Sequence, residues 1–420
     1  MLAVATEAND MRPGFLPQVC LCYDLCRTNT SGWEGIMKRK TATSLNRRLL
    51  SNVENNTTDS VEGEMREPAE AFICPDRHVR ERSVLFYETP QPVAFAGEIA
   101  GPGSYLALDV LDVPVLLTRS ESGELHAFVN ACSHRGARVA DGCGESRRLV
   151  CHFHGWSYSH SGELLVRPQD DCFESEKELL SLQRLPVSEK YGIVVVGLQP
   201  GISQVAVDAA LEEIGEELAS FRLERYRSVG RKQYPVAANW KLVTALSLES
   251  YHFATLHRDS VAAVLTHHAV VDTMGRHSRW AFPLKSIERL RDMDEADWPE
   301  IIEGSCTYTL FPGVMIIVNS TGAQLIRAEP GANAATSRVN YVGVRAGGVD
   351  PGAALRAYTF GGDVFENEDL PVARQCQQGI EAGGRDLLFG RNEPLLQFWH
   401  TLWNDNCTPS APSGHIDLIG

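Results

Sequence analysis

Residues 130–156 read NACSHRGARVADGCGESRRLVCHFHGW, and within them stand Cys132-x-His134 and Cys151-x-x-His154. Two thiolates and two imidazoles suit either a structural zinc or a two-iron, two-sulfide cluster of mixed ligation. The order of the ligands separates the two. Zinc modules with this ligand set usually keep the Cys pair on one arm and the His pair on the other. Here each arm carries one of each, so two loop tips can give both sulfurs to one iron and both imidazoles to the other. The short apolar runs Ala127–Val129 and Leu149-Val150 read as strands leading into the loops. Gly136, Gly142, Gly144 and Gly155 permit the tight turns that bring backbone amides close to cluster sulfides. Trp156-Ser157-Tyr158 adds bulk and hydrogen-bond donors beside the metal.

The CxH…CxxHGW pattern resembles a Rieske [2Fe–2S] domain. Respiratory Rieske proteins carry an extra disulfide, with Cys at the positions held here by Ala137 and Phe153. The chain therefore resembles the oxygenase and ferredoxin branch.

A length of 420 residues allows one large or two medium domains with ample core. Hydrophobic residues make up 43% and charged residues 22%, ordinary for a globular protein. The net charge of −15 argues against a nucleic-acid partner, which calls for a basic face. The longest apolar run, Ile193–Leu198, is far short of the ~20 residues that span a bilayer, so no membrane association is expected. Eleven Cys, scattered singly except Cys20, Cys22 and Cys26, do not form a secreted disulfide framework, and a reducing cytoplasm is expected. Cys20-x-Cys22-x-x-x-Cys26 has no matching His or Cys pair and reads as chance within a leader.

Residues 1–36 show neither the basic nor the apolar part of a signal peptide. Residues 37–65 are polar and read as flexible, with Met37 a plausible alternative start. The organisation expected is a flexible extension over 1–65, a lead-in helix over 66–90 packing on the catalytic domain, and a Rieske domain over 91–200. A catalytic domain over 201–408 and a tail over 409–420 complete it. A short helix is expected around Asp76–Tyr87. Strands are expected at Ser104–Val110, Val113–Arg119 and Leu125–Val129, where His126 is an ordinary strand residue. Val207, Leu211, Ile214, Leu218 and Phe221 predict one helix over 205–222. Beyond it come a strand near Tyr226–Pro235, a helix from Asn239, and strands at Thr307–Val318, Ala323–Ala328 and Arg338–Arg345. A last helix starts near Phe365.

A second constellation lies in residues 239–257, NWKLVTALSLESYHFATLH. Glu249 and His252, three apart, share a helix face. His252 and His257, five apart, sit about 140° around a straight helix, so the helix must end or bend between them to present both to one ion. Two His with one carboxylate make the facial triad of non-haem Fe(II) oxygenases, which leaves positions open for O2. Candidate carboxylates cluster at Asp363, Glu366, Glu368 and Asp369. His267-His268 reads as ordinary loop or pocket residues.

From about residue 66 to 400 the chain resembles the catalytic (α) subunit of Rieske non-haem iron oxygenases of the aromatic-ring-hydroxylating type. The motif NWK…E-x-x-H-x4-H resembles the family's iron-binding helix and implies His252 and His257 as ligands. The ending E-D-x-x-V-x4-Q-x-G-I, met by Glu368-Asp369, Val372, Gln377, Gly379 and Ile380, implies Asp369 as the third, with Glu368 one alignment step away. Many relatives carry Glu-Asn at Ala245-Leu246 and an acidic residue at Arg374, which leaves the substrate class open. The resemblance implies an α+β chain, an all-β Rieske domain plus an antiparallel sheet covered by helices (helix-grip, START-like). It also implies a ring-shaped homotrimer, with a small β subunit an option. There the cluster of one subunit faces the mononuclear iron of the next, bridged by Glu249 and His154.

A Rieske cluster and a ferrous site in one chain imply electrons derived from NAD(P)H. No GxGxxG or plant-type ferredoxin Cys run is evident, so a separate flavin/iron–sulfur reductase, with or without a ferredoxin, is implied. The pocket is expected to draw on residues 245–320, among them Leu265, Val270, Trp280, Phe282, Phe311 and Val314. That favours a mostly apolar organic substrate; the resemblance implies an aromatic one and a place in aromatic hydrocarbon catabolism. Hydroxylation, dihydroxylation and demethylation stay open, as does a quaternary ammonium substrate. The rival of another class is a Rieske electron carrier without a working mononuclear site.

Overall fold

The computed structural model describes residues 37–407. The leader, the Cys20/Cys22/Cys26 group and the 409–420 tail lie outside them. Among the described residues, twenty strands and eight α-helices are arranged as two bodies. The first is built from short antiparallel strands, because its sequence is broken every few residues by Gly, Pro or acidic turns. β2 (Gln91–Phe95), β3 (Ser104–Val110), β4 (Val113–Arg119), β5 (Leu125–Val129), β6 (Cys143–Glu145), β7 (Leu149–Val150), β8 (Ser157–Tyr158), β9 (Leu164–Val166), β10 (Arg184–Leu185), β11 (Val187–Lys190) and β12 (Ile193–Val196) belong to it. They form sheets in the orders β10-β5-β4-β3-β6, β11-β12-β2 and β7-β8-β9. β1 (Met65–Glu67) pairs instead with β20 (Leu387–Phe389), joining the two ends of the described chain.

The second body is one antiparallel sheet of seven strands, β13 (Arg227–Val236), β14 (Val270–Met274), β15 (His277–Pro283), β16 (Gly304–Leu310), β17 (Val314–Asn319), β18 (Gly322–Pro330) and β19 (Ser337–Arg345). Their order is β13-β19-β18-β17-β16-β15-β14. Alternation fixes which residues share a face. On one face, Tyr308, Leu310, Val314, Ile316, Leu325 and Val342 join a core with helix α1 (Arg39–Glu54). The other face carries Trp280, Phe282, Thr307, Thr309 and Met315. It is covered by α5 (Trp240–Ala245), by the long helix α6–α7 (Pro351–Val364 and Leu370–Glu381) and by α8 (Pro394–Cys407). Trp399 donates to Ser278 Oγ at 2.9 Å and Trp403 to the Pro312 carbonyl at 2.6 Å, seating α8 on this face.

Several expectations are corrected. Residues 39–54, read as part of a flexible extension, are a packed helix. Ala42, Leu45 and Leu49 form a buried stripe spaced three and four residues apart. Lys, Arg, Thr and Asn around them mask it, and those polar residues are themselves anchored: Arg48 meets Asp272 at 2.7 Å and Arg47 meets Glu295 at 2.6 Å. The helix expected over 205–222 is two short ones, α3 (Gln204–Ala209) and α4 (Gly215–Ser220), although all five of its apolar residues are buried. The strand expected at 307–318 is the hairpin β16–β17, turning at Phe311-Pro312-Gly313. The C-terminal helix begins at Pro351, capped by Asp350, whose carboxylate accepts from Ala353 N at 2.8 Å.

That helix contains a π turn at Phe365–Asp369. Pro371 lies just beyond it and has no N–H to offer the fourth residue back, so regular α spacing is lost here. Asn367 Nδ2 donates to the Asp363 carbonyl at 2.8 Å, a side-chain bond across this turn. Helix α2 (Pro75–Glu81) runs into a similar turn at Arg82–Tyr87 and packs on α5 through Phe86 and Trp240, whose ring centroids are 5.0 Å apart. Among the described residues no helix is long and apolar enough to cross a membrane.

Candidate metal centres

The two loops of the first body close in the same way. Cys132 N donates to Ala137 O at 2.8 Å and Gly136 N to Cys132 O at 2.8 Å. Cys151 N donates to Trp156 O at 2.9 Å and Gly155 N to Cys151 O at 3.0 Å. Gly136 and Gly155, both at φ +75, occupy the left-handed position each turn requires. Cys132 and Cys151 are buried and lie in no disulfide, and the two thiols are close enough to interact. Burial pushes the Cys151 thiol up. The His134 and His154 ring centroids are 4.6 Å apart, so the structure brings the two imidazoles together as it brings the two thiols together. His134 stacks flat on Trp156, 4.9 Å between centroids, and its Nδ1 is buried without a hydrogen-bond partner. Tyr158 Oη lies 3.2 Å from Cys132 Sγ and accepts from Ser133 N at 3.0 Å. Arg135 donates to His154 Nε2 at 3.0 Å and lies over the Phe153 ring.

The second centre forms where a sheet face meets two helices. Asn239 caps α5, its side chain accepting from Lys241 N at 3.0 Å while its Nδ2 donates to Phe72 O and Ala334 O. α5 ends at Ala245, earlier than the bend expected between the two His, and residues 246–260 continue as turns. In those turns Leu256 N donates to His252 O and His257 N to Phe253 O, which carries the second ring back beside the first. The ring centroids of His252 and His257 are 4.8 Å apart. One nitrogen of each, with a carboxylate oxygen of Asp369, falls within a 4.8 Å group.

Each imidazole is held from behind by its own carboxylate. Glu249 accepts from His252 Nδ1 and from the His252 backbone N at 3.2 Å. Glu368 Oε2 accepts from His257 Nδ1 at 2.7 Å and from Ser260 Oγ at 2.8 Å. Both Nε2 atoms thus face inward, 3.9 Å (His252) and 3.2 Å (His257) from Asp369 Oδ1. That oxygen is buried and has no partner in hydrogen-bond geometry. Three donor atoms within 4.8 Å of one another fit a metal ion, and two nitrogens with one carboxylate fit Fe(II). Burial pushes His257 down, but Asp369 and Glu368 outweigh it and raise the imidazole to about 9. A metal ion taken up here would displace that proton.

The π turn explains how neighbouring acids serve different nitrogens: Glu368 reaches Nδ1 of His257 and Asp369 its Nε2. Sequence reasoning held Glu368 as a fallback ligand and missed its bond to Nδ1, which has no signature in spacing. Glu366 pairs with Lys232 at 2.6 Å instead, and Asp363 is not among the converging atoms. His268 Nδ1 bonds Thr57 O at 2.8 Å, apart from the site, and His126 meets Arg184 at 3.1 Å. Of the expected pocket residues, Trp280, Phe282 and Phe311 lie in the core on the metal side of the sheet, whereas Val270 and Val314 point to the opposite core. Phe253, not foreseen, connects the His pair to Trp280 and Phe282 at 5.9 and 5.2 Å.

Residues 89–186 match the family described as Rieske [2Fe-2S] domain, and residues 223–409 that described as ring hydroxylating alpha subunit (catalytic domain). The large subunit of 2-halobenzoate 1,2-dioxygenase from Burkholderia cepacia is 28% identical over 293 residues, 66% of this chain and 57% of the relative. The oxygenase subunit of glycine betaine monooxygenase from Chromohalobacter salexigens is 30% identical over 197 residues, 46% and 42% of the two chains. The chain thus spans about half the length of the curated relatives it matches. Among solved structures, the quaternary ammonium Rieske monooxygenase CntA with L-carnitine superposes with a TM-score of 0.71 at 20% identity, covering 83% of this chain and 97% of that one. Naphthalene 1,2-dioxygenase from Rhodococcus with bound indole gives 0.67 at 17%, covering 88% and 99%. At these identities the likeness is one of fold.

Proposed function

Because this chain belongs to the family of Rieske non-haem iron oxygenase α subunits, we propose that it is the terminal oxygenase of a multicomponent system acting on a mostly apolar, aromatic substrate. The observation that carries this reading is the convergence of His252 Nε2, His257 Nε2 and Asp369 Oδ1, downstream of paired Cys/His loops. Cys132, Cys151, His134 and His154 would hold the [2Fe–2S] cluster; His252, His257 and Asp369 would hold Fe(II). Bound there, the two groups supply one-electron storage and O2 activation, with electrons from NAD(P)H delivered by a separate reductase, with or without a ferredoxin.

The chain's own residues do the rest. Tyr158 and the loop amides stabilise negative charge on the sulfurs. Glu249 and Glu368 fix the His tautomers and keep both Nε2 lone pairs inward. Phe253, in ring contact with both imidazoles and with Trp280 and Phe282, makes the side next to the His pair apolar and would keep water from a bound ion. The cellular setting proposed is the cytoplasm, in breakdown of aromatic hydrocarbons. Anaerobic metal analysis of purified protein tests the reading: about three irons per chain are expected. Two irons would mark an electron carrier, and a colourless zinc protein would end both readings.

The assembly proposed is a homotrimer in which His154 of one subunit meets Glu249 of the next. The exposed His154 ring, with Phe153 and Tyr251 exposed at 54% and 68%, supports such an interface. Glu249→Gln is expected to keep both metal centres and normal cluster reduction, yet slow single-turnover oxidation of the cluster by orders of magnitude. A normal rate would leave Glu249 as an orienting group for His252 only.

A quaternary ammonium substrate is the second reading, favoured by the names of several relatives. It calls for ring faces open around a cation. Here Phe253, Trp280 and Phe282 fill one another's surfaces, with centroids 4.5 to 5.9 Å apart, which favours a flat apolar ligand. Oxygen uptake with carnitine against an aromatic hydrocarbon separates the two.

A further inference from the structure

Among the described residues, four buried indole N–H groups find acceptors. Trp240 donates to Glu81 Oε2 at 3.0 Å, Trp298 to Leu290 O at 3.1 Å, Trp399 to Ser278 Oγ at 2.9 Å and Trp403 to Pro312 O at 2.6 Å. Trp280 is the exception. Its ring is 3% exposed and its Nε1 is buried with no partner. A second orphan lies on the same sheet face: Thr309, fully buried, whose Oγ1 also has none. The register places Ser278 opposite Thr309 and Trp280 opposite Thr307, so Trp280 and Thr309 are diagonal neighbours, within reach of an indole.

Their setting is the metal side of the sheet. Phe253 touches Trp280 on one flank and both metal-site imidazoles on the other, 5.1 Å from His252 and 5.8 Å from His257. Met315, opposite Thr309 on β17, packs in the cluster that contains Phe365 and Leu370, the residues flanking the Asp369 turn. Two hydrogen-bond donors left unpaired in a buried wall, one ring removed from the metal-site imidazoles, are costly unless something accepts from them.

We propose that Trp280 Nε1–H and the Thr309 hydroxyl form a donor subsite for a neutral oxygen acceptor, such as a carbonyl, carried on an otherwise apolar ring. The proposal rests on the oxygenase reading and narrows its substrate class. Charge decides against an anion. Glu249, Glu368 and Asp369 surround the metal site, and their three negative charges exceed the two of a ferrous ion. A carboxylate would be desolvated among them and met only by neutral donors, whereas a carbonyl loses little and gains two hydrogen bonds.

The test uses iron- and cluster-loaded protein under anaerobic conditions, with calorimetric binding of indane, 1-indanone and indane-1-carboxylate. Wild type is expected to bind the ketone roughly five- to tenfold more tightly than the hydrocarbon and to bind the carboxylate most weakly. Trp280→Phe and Thr309→Val should each reduce the ketone preference, and the double variant should abolish it, the preference being read as the ratio of ketone to indane affinity within each variant. Should Trp280→Phe fail to fold, Thr309→Val with restoration by Thr309→Ser carries the test. Equal binding of ketone and hydrocarbon, a preference that survives the double variant, a preference for the carboxylate, or no binding of any probe overturns the subsite. Three irons per chain with hydroxylated product alongside any of these results would sink the subsite alone and leave the oxygenase standing.

Discussion

Asp369→Ala is expected to lose one iron per chain and all measurable turnover while the visible spectrum of the cluster stays unchanged. The effect is large because nothing nearby can replace the carboxylate: Glu368, one residue back, is committed to His257 Nδ1 and Ser260 Oγ. His257→Ala should behave alike. Glu368→Gln should differ in kind. It removes the charge that orients His257 but leaves all three donor atoms, so iron should still bind, about 10- to 100-fold more weakly. Anaerobic ferrous titration with iron analysis distinguishes the two. If Glu368→Gln empties the site and Asp369→Ala does not, the roles are reversed. The titration also carries a proton signature. With metal-free His257 raised to about 9, iron uptake releases a proton, and apparent affinity should rise with pH until about that value. In Glu368→Gln, with one of the two raising carboxylates gone, the rise should level off at lower pH.

Lys241→Met is expected to destabilise the fold by about 3–5 kcal/mol. The Lys241 ammonium is fully buried and sits 2.7 Å from both oxygens of Glu81. The same carboxylate accepts from Trp240 Nε1 at 3.0 Å and Arg77 Nε at 2.9 Å. Burial alone would raise the Glu81 carboxyl, but Lys241 holds it below the usual carboxylate range. Removing the cation leaves a buried anion whose remaining ionic partner is Arg77. Lys241→Met with Glu81→Gln should recover a good part of the loss, because no uncompensated charge remains and an acceptor for Trp240 survives. A double-mutant cycle on denaturant midpoints measures the coupling. The pair links α2 to the first turn of α5, a few residues before Glu249, so iron occupancy in Lys241→Met should fall together with stability. No recovery in the double variant would mean that packing of the Lys241 stem, not charge, dominates.

Some of this was legible in the sequence because chemistry fixes spacing. The Cys132-x-His134 and Cys151-x-x-His154 loops must present ligands at short range, and their Gly residues mark the turns. Of the three strands before Asn130, β3 alternates cleanly, and all three stand between turn signals. His252 and His257 were legible through their neighbours more than their spacing, since the α-helix that was to hold them ends at Ala245. What stayed hidden depended on contacts distant in sequence. α1 buries few apolar residues among many polar ones, and only its partners in the β14–β15 region and beyond show that the polar ones are anchored. The pairing of Glu368 with His257 Nδ1 is set by one extra residue in a helix, which no hydrophobic period reports. β14 and β15 went unread because Arg279, buried through Asp272 and Glu217, breaks their apolar pattern.

The π turn at Phe365–Asp369 has a consequence for how this protein can be altered. Each residue advances an α-helix by about 100°, and the inserted residue is what brings Glu368 and Asp369 to the two nitrogens of one imidazole. Deleting a single residue between Pro351 and Asn367 would swing both acids away from His257, however conservative the deletion looks. An insertion at the exposed Gly347-Gly348 turn, outside that helix, would be absorbed. The metal site therefore tolerates exchanges of side chain along this helix far better than changes in residue count. A chimera joining this chain to a relative should keep 351–381 as one uncut piece.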